Sequence, residues 1–302
     1  MGIINTGTHP KALWPGVFAM FGMSYNNYDE WRDLVTVKTS TKHREEMVQN
    51  NGFGLAAIKG QGESVGYDTT SQGGTATAMH LVYSLGYIIT EEAIEDNQYE
   101  ELGMQRSAAL KKAMVETKNI VVANWLNRGF STDYNVGPDS KPMFSASHTS
   151  SSGNQSNLMA TPADLSEAAL EDLVIQIGGA TDDRGNKVRV KTQKLIVPRQ
   201  YEFEAARILK SINQNDTANN AINALRVMNS FPDGFAVNHF LTDPDAFFIR
   251  TDVPNGLTLF QRRGLRFQRD NDFGTGNALA KADERYSLQV GDFRGMYASA
   301  GA

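Results

Sequence analysis

The sequence predicts an α+β fold, helices packed on mixed sheet, and three observations carry that expectation. From Met79 the odd positions read Met79, Leu81, Tyr83, Leu85, Tyr87 and Ile89, a period of two that marks a half-buried strand. Leu110, Met114, Val121 and Trp125 then recur at helical spacing until Gly129 stops the run. After residue 230 the chain returns to short apolar runs of strand character: FAVNHFL, AFFIR, LTLFQ, LRFQR and YSLQV.

Composition narrows the function classes. The 302 residues carry 29 basic and 34 acidic side chains, a net charge of −5, and no cysteine. That length suits about two domains. At 40% apolar and 21% charged, the chain is ordinary globular material. Zero Cys excludes disulfides, thiolate metal sites and Cys nucleophiles. Mild acidity argues against holding DNA through bulk charge. No apolar run approaches the ~20 residues of a membrane span. The start, MGIINTGTHPK, lacks the basic and apolar regions of a secretory signal, so an unexported chain is expected.

Each element follows in order. The first fifty residues hold Trp14, Phe18, Phe21, Tyr25, Tyr28 and Trp31 without a sustained period. Six aromatics are too many for a solvated tail, so an extended arm across another surface is expected. A strand-like piece, Asp33 to Thr41, leaves it. Phe53, Leu55 and Ala57 begin a strand, Lys59 to Gly74 is turn-rich, and Met79 to Ile89 returns, which together read as one long hairpin. A lone hairpin is marginal in water, so its apolar face needs cover from this chain or another. Thr90 is the expected N-cap of a helix of about seven turns, with Glu91 and Glu92 favouring its dipole. Residues 131–161 read as loop and as the boundary between halves. Thr161-Pro162 opens the next helix, with Leu165, Ala169, Leu173 and Ile177 as its buried stripe and Gly178-Gly179 as its end. Asp183 to Asn186 turns into strands at Val188–Thr192 and Leu195–Val197. Pro198 then starts a helix burying Tyr201, Ala205, Ile208 and Ile212.

No catalytic constellation is assembled. None of His9, His43, His80, His148 and His239 has metal-ligand spacing. His148 could pair with Ser145, Ser147 or Ser150 as a hydrolase, but no G-x-S-x-G elbow supports this, and local hydrogen bonding is the expected role. Gly60 to Gly66 misses the dinucleotide spacing, and GTGNALAK lacks the length of a phosphate loop. A calcium loop starting at Asp270 fails at Thr275 and Lys281. Arg262, Arg263, Arg266 and Arg269 cluster within eight residues. In an acidic chain they are expected to pair with carboxylates on this or an adjacent subunit. No cofactor or metal is expected.

Several whole segments carry a resemblance. ALWPGVFAMFGMSYNNYDEW and NGFGLAAIKGQGESVGYDTTSQGGTATAMHLVYSLGYIITEEAIEDNQY resemble the N-terminal region of tailed-phage major capsid proteins of the Mu-type major head subunit group. KPMFSASHTS, LIVPRQYEFEAARIL and NDFGTGNALAKADERYSLQVGDFRGMY are similar to later parts of the same group, in its order. The resemblance implies the Hong Kong-97-like capsid fold: N-arm, extended E-loop hairpin, peripheral domain with a long spine helix, and axial domain. It implies an arm over residues 1–50, an E-loop over 51–89 and a peripheral domain with the spine helix over 90–160. The axial domain then spans 161–241, and the strands of 242–302 are shared between the two domains. The implied function is structural, a non-enzymatic head protein assembling through pentamers and hexamers into an icosahedral shell around double-stranded DNA. The alternative is an encapsulin-like nanocompartment shell. The implied partners are further copies of the chain, a separate scaffolding protein, the portal, a decoration protein and DNA held non-specifically. No membrane is involved. The implied location is the virion, assembled in the bacterial cytoplasm. Contacts between subunits are expected at Trp14, Phe18, Tyr25, Trp31, Lys59, Leu81, Tyr83, Leu85, Arg262, Arg263 and Arg266. Some relatives crosslink through an E-loop lysine. Lys59 lies near that place, but nothing marks a partner Asn or a carboxylate catalyst, and a crosslink is not expected.

Overall fold

The computed structural model describes residues 3–5, 29–92, 99–134, 137–214 and 221–302, so Trp14, Phe18 and Tyr25 lie outside the described residues. The architecture is α+β. A five-stranded sheet has the order β1-β5-β12-β11-β2. Its members are β1 (Ile3–Asn5), β2 (Thr36–Thr39), β5 (Leu81–Thr90), β11 (Leu257–Asn271) and β12 (Ala278–Val290). Alternation along β5 was the strongest local signal, and it folds as a strand. Its partner is far away in sequence: β5 runs antiparallel to β12, with Leu81 opposite Tyr286 and Ile89 opposite Ala278.

That pairing corrects the expected hairpin. The strands that pair are β3 (Arg44–Asn50) and β4 (Gln72–Met79), with Arg44 opposite Met79. Residues 51–71 form no strand, and the chain leaves the hairpin at His80 to enter the large sheet. The hairpin strands escape a periodicity search because their inward residues are small or polar: Ala76 and Ala78 are buried where a Leu or Val would have announced them. Upstream, Trp31–Leu34 is one helical turn (α1), and only Thr36–Thr39 of the expected strand pairs, parallel to β11.

Helix α2 (Tyr99–Asn127) crosses this sheet. Leu110 and Met114 pack with Ala282, Tyr83 and Tyr87. Farther along, Val122 and Leu126 are the fully buried pair, while Val121 and Trp125 are half-buried beside them. A straight helix of this length turns more than one stripe toward a twisted sheet.

Between the sheets in sequence, β6 (His148–Ser150) pairs with β7 (Gly153–Gln155), and a second sheet, β13-β10-β8-β9, consists of β8 (Thr192–Pro198), β9 (Phe235–Asn238), β10 (Phe247–Thr251) and β13 (Met296–Ser299). Residues 188–191 do not join β8, and the short β13 was not legible in sequence. This sheet is buried on both faces. Ile196, Phe248 and Ala298 enter one core with Leu126, Phe144 and Leu259. Their neighbours Leu195, Val197, Phe247, Ile249 and Tyr297 enter another. Successive side chains on a strand point to opposite faces, so the same three strands wall off two cores.

The second core is closed by α3 (Glu167–Gly178), α4 (Glu202–Lys210) and the turn α5 (Ala224–Val227). The stripe Leu165, Ala169, Leu173 and Ile177 is buried as expected. The cap differs: Ser166, not Thr161, is extended and accepts the Ala169 N–H at 3.2 Å. Ile212 falls beyond the end of α4 and is exposed, so it does not belong to the buried face of that helix. Among the described residues, no helix is long and apolar enough to cross a membrane.

Candidate assembly surfaces

The catalytic candidate dissolves into structure. His148 is buried, stacked on Phe293 with centroids 4.1 Å apart. Its Nδ1 lies 2.6 Å from Asp139 Oδ2 and its Nε2 lies 3.0 Å from Asn157 Oδ1. The Asn157 amide donates to the carbonyls of Met143, Phe293 and Met296, which fixes its oxygen toward the histidine. Both imidazole nitrogens are therefore engaged by Asp139 and Asn157, and neither bonds a serine hydroxyl among the described residues. Burial would raise the Asp139 carboxyl, but the hydrogen bond and charge of His148 outweigh it and hold the carboxyl below its ordinary value. Among the described residues, no three His, Asp or Glu converge as a metal site.

What the surface does offer is apolar area without cover. The loop of residues 51–71 exposes Phe53, Leu55, Ile58, Val65 and Tyr67, with Ile58 at 100% and Tyr67 at 95% of full exposure. Lys59 stands exposed among them. Free-standing loops avoid such residues, and surfaces that meet partners carry them. The loop is nevertheless tied to its own chain. Arg184 donates to Asp68 Oδ2 at 2.6 Å and to the Thr69 carbonyl. Gln49 donates to Asp183 at 2.9 Å, and Asn51 to Ser151 at 2.8 Å.

Asp68 titrates at about 2 because the Gly54 N–H, the Arg184 guanidinium and the Thr69 N–H all bond its charged form. A depressed carboxylate stabilises the ordered loop above its unfolded value near 3.8, and the effect fades as pH falls toward 2. Amide exchange of residues 51–71 should therefore accelerate as pH drops through that window, after correction for intrinsic rates. Arg184→Ala should release the loop at neutral pH while changing global stability by less than ~1 kcal/mol. Unchanged exchange in that variant would show that the tether does not order the loop.

The second surface lies on β5. Leu81 and Leu85 are 59% and 49% exposed, flanking Tyr83, which is half-buried and stacked on Tyr286 at 4.6 Å. Trp31 is placed differently, deep in the chain's own core with the Lys118 ammonium 3.9 Å over its ring. A third patch escaped sequence reasoning: Phe203, Ile212, Ile222, Val227 and Met228 are exposed around α4 and α5. Phe203 sits two residues before buried Ala205, off the helix's buried face, and that phase was the available signal.

The arginines divide. Arg263 pairs with Asp283, and Arg266 Nε donates to the same carboxylate at 2.8 Å. Among the described residues, Arg262 makes no ion pair, and its Nη1 is buried without a hydrogen-bond partner.

Known proteins share sequence features and the fold with this chain. The sequence model described as phage capsid protein matches residues 75–299. Solved structures share the fold over nearly the whole chain. A chain described as Mycobacterium phage Patience aligns with a TM-score of 0.55 at 15% identity, covering 99% of this chain and 92% of that one. A chain described as the capsid of an empty GTA particle aligns at 0.53 and 14% identity, covering 89% and 88%. A chain of a virus-like particle from Pyrococcus furiosus aligns at 0.52 and 11% identity, covering 96% and 98%. A search of curated protein sequences returns no match.

Proposed function

The chain belongs to the phage capsid protein family, and from that premise we propose how its surfaces build a head. It is a major capsid protein of the tailed-phage type with the Hong Kong-97-like fold, a structural component of the virion that assembles with copies of itself. The subunits join as pentamers and hexamers in an icosahedral shell. The arm, the 51–71 loop and the Leu81–Leu85 face supply the contacts. A scaffolding protein guides assembly in the bacterial cytoplasm, a portal occupies one vertex, and double-stranded DNA fills the interior without sequence-specific contact. One observation carries this reading: a family match across most of the chain coincides with large apolar side chains that the subunit leaves uncovered. Neighbouring copies provide the missing burial.

Particles purified from phage-producing cells should appear as icosahedral shells by electron microscopy and should protect DNA from nuclease. Shells that contain protein cargo and no DNA would replace this reading with a nanocompartment. A 33.2 kDa species that stays monomeric with scaffold present would refute both.

A further inference from the structure

Among the described residues, the face of the large sheet turned away from α2 carries a charge imbalance that no ion pair resolves. Along β12, Glu284 points to α2, where it meets Lys118 at 2.6 Å. Its neighbours Asp283 and Arg285 therefore point to the opposite face. On that face Arg285 stands directly across from Arg263, and Arg266 across from Asp283. Two like charges in a cross-strand pair repel, so the pairing is unfavourable unless an anion joins it. Two register shifts, between Gln261 and Arg263 and between Arg263 and Arg266, add two residues to β11 and draw Arg262 into the group. The charges of Arg262 and Arg285 both act on His80, which bridges Ser40 and Ser287 at the same end of the strip.

Among the described residues, two of these four guanidinium groups, Arg263 and Arg266, reach a carboxylate, that of Asp283. Asp283 engages Arg266 Nε and one nitrogen, Nη2, of Arg263, and Glu45, also near His80, is held by Ser40 and Lys42. Among the described residues, Arg262 Nη1, Arg263 Nε and Arg285 Nε are buried without a hydrogen-bond partner, while the side chains that carry them are half-exposed and open to a second molecule. Leaving a buried charged donor unmatched is costly, and native structures seldom retain such groups without a ligand.

We propose that Arg262, Arg263 and Arg285 form a receptor for carboxylate side chains of a second copy of this chain. The proposal rests on the shell reading above and adds to it a defined, charge-selective contact. Two observations favour a second copy over packaged DNA. Exposed Val82 lies directly across from Arg285 on the same face, and an apolar neighbour suits a protein surface better than a phosphate backbone. The chain also carries five more acidic than basic groups, so a second copy has carboxylates in excess to complement this basic strip.

The test uses the full chain in assembled particles. The double variant R262K/R285K keeps the charge and introduces amines that a water-soluble carbodiimide couples to adjacent carboxylates. Shells assembled from equal parts of nitrogen-14 and nitrogen-15 subunits should yield mixed-isotope crosslinks at position 262 or 285, and dispersed subunits should not. In parallel, R262Q/R285Q should raise the subunit concentration needed for assembly at least tenfold at low salt, with an unchanged melting temperature. Crosslinks confined to single copies, or unimpaired assembly of R262Q/R285Q, would overturn the proposal. So would normal R262Q/R285Q shells that merely retain less DNA. Failure of the unmodified chain to form particles would instead strike at the shell reading itself.

Discussion

Lys118→Ala should destabilise the subunit by about 3–5 kcal/mol, the largest single-site effect we expect from any polar group in the fold. Lys118 and Glu284 are each 1% exposed, and the ammonium donates to Oε1 at 2.6 Å. Gln261 donates to the same oxygen at 3.0 Å, and the Trp31 and Tyr286 rings lie 3.9 and 5.0 Å from the ammonium. Burial pushes the Lys118 amine below its ordinary value, and the Glu284 charge recovers part of that shift. Truncating the lysine removes the partner and the cation over two rings, and strands a carboxylate in the core. Replacing both members, Lys118→Met with Glu284→Leu, should cost much less than the single truncation, because a pair well replaced by apolar volume loses attraction and desolvation penalty together. Urea unfolding of the unmodified chain, Lys118→Met, Glu284→Leu and the double variant, with Lys118→Ala alongside, measures this. Equal losses for the single and double variants would show that packing, not the orphaned charge, sets the cost.

Leu81→Asp combined with Leu85→Asp should abolish capsomer and shell formation while lowering subunit stability by less than ~1 kcal/mol. Both side chains already meet water in the isolated subunit, so the aspartates have little to lose there. At a buried interface each carboxylate would be desolvated without a partner, at several kcal/mol apiece. Since about 1.4 kcal/mol is a tenfold change in affinity, each contact should weaken by roughly a thousandfold or more. Sedimentation and electron microscopy give the assembly state, and thermal melting gives the subunit. A fall in melting temperature that parallels the loss of assembly would place Leu81 and Leu85 in the chain's own core.

How much of this was legible in the sequence depended on which interactions were local. Strand β5 and the stripe of α3 announced themselves through large apolar residues at a fixed period. The partner of β5 lies some two hundred residues downstream, and no local pattern encodes a strand's partner. Strands β3 and β4 were misplaced because Ala76, Ala78 and a charged stretch carry little periodic contrast. Among the surface residues, Leu81 and Leu85 were visible as apolar, yet Trp31 was equally visible and is covered by its own chain. Hydrophobicity says that a side chain needs cover and is silent on what supplies it. The Lys118–Glu284 pair left no trace, since one lysine on a helix gives no sign of burial until its partner comes into register. The arginine cluster was plain in sequence, but its imbalance appears only when Arg285 arrives across the strand from Arg263.

The doubly buried sheet of β8, β10 and β13 makes neighbouring residues answer to different halves of the molecule. Phe247 and Phe248 are adjacent in the chain yet belong to separate cores. Deleting one residue ahead of them would exchange their allegiance, taking an aromatic from each core at once. The chain has length for two independent folding units, but this common wall denies them separate fates. Heat or denaturant that loosens one half should therefore remove the floor of the other, and calorimetry should record a single cooperative transition.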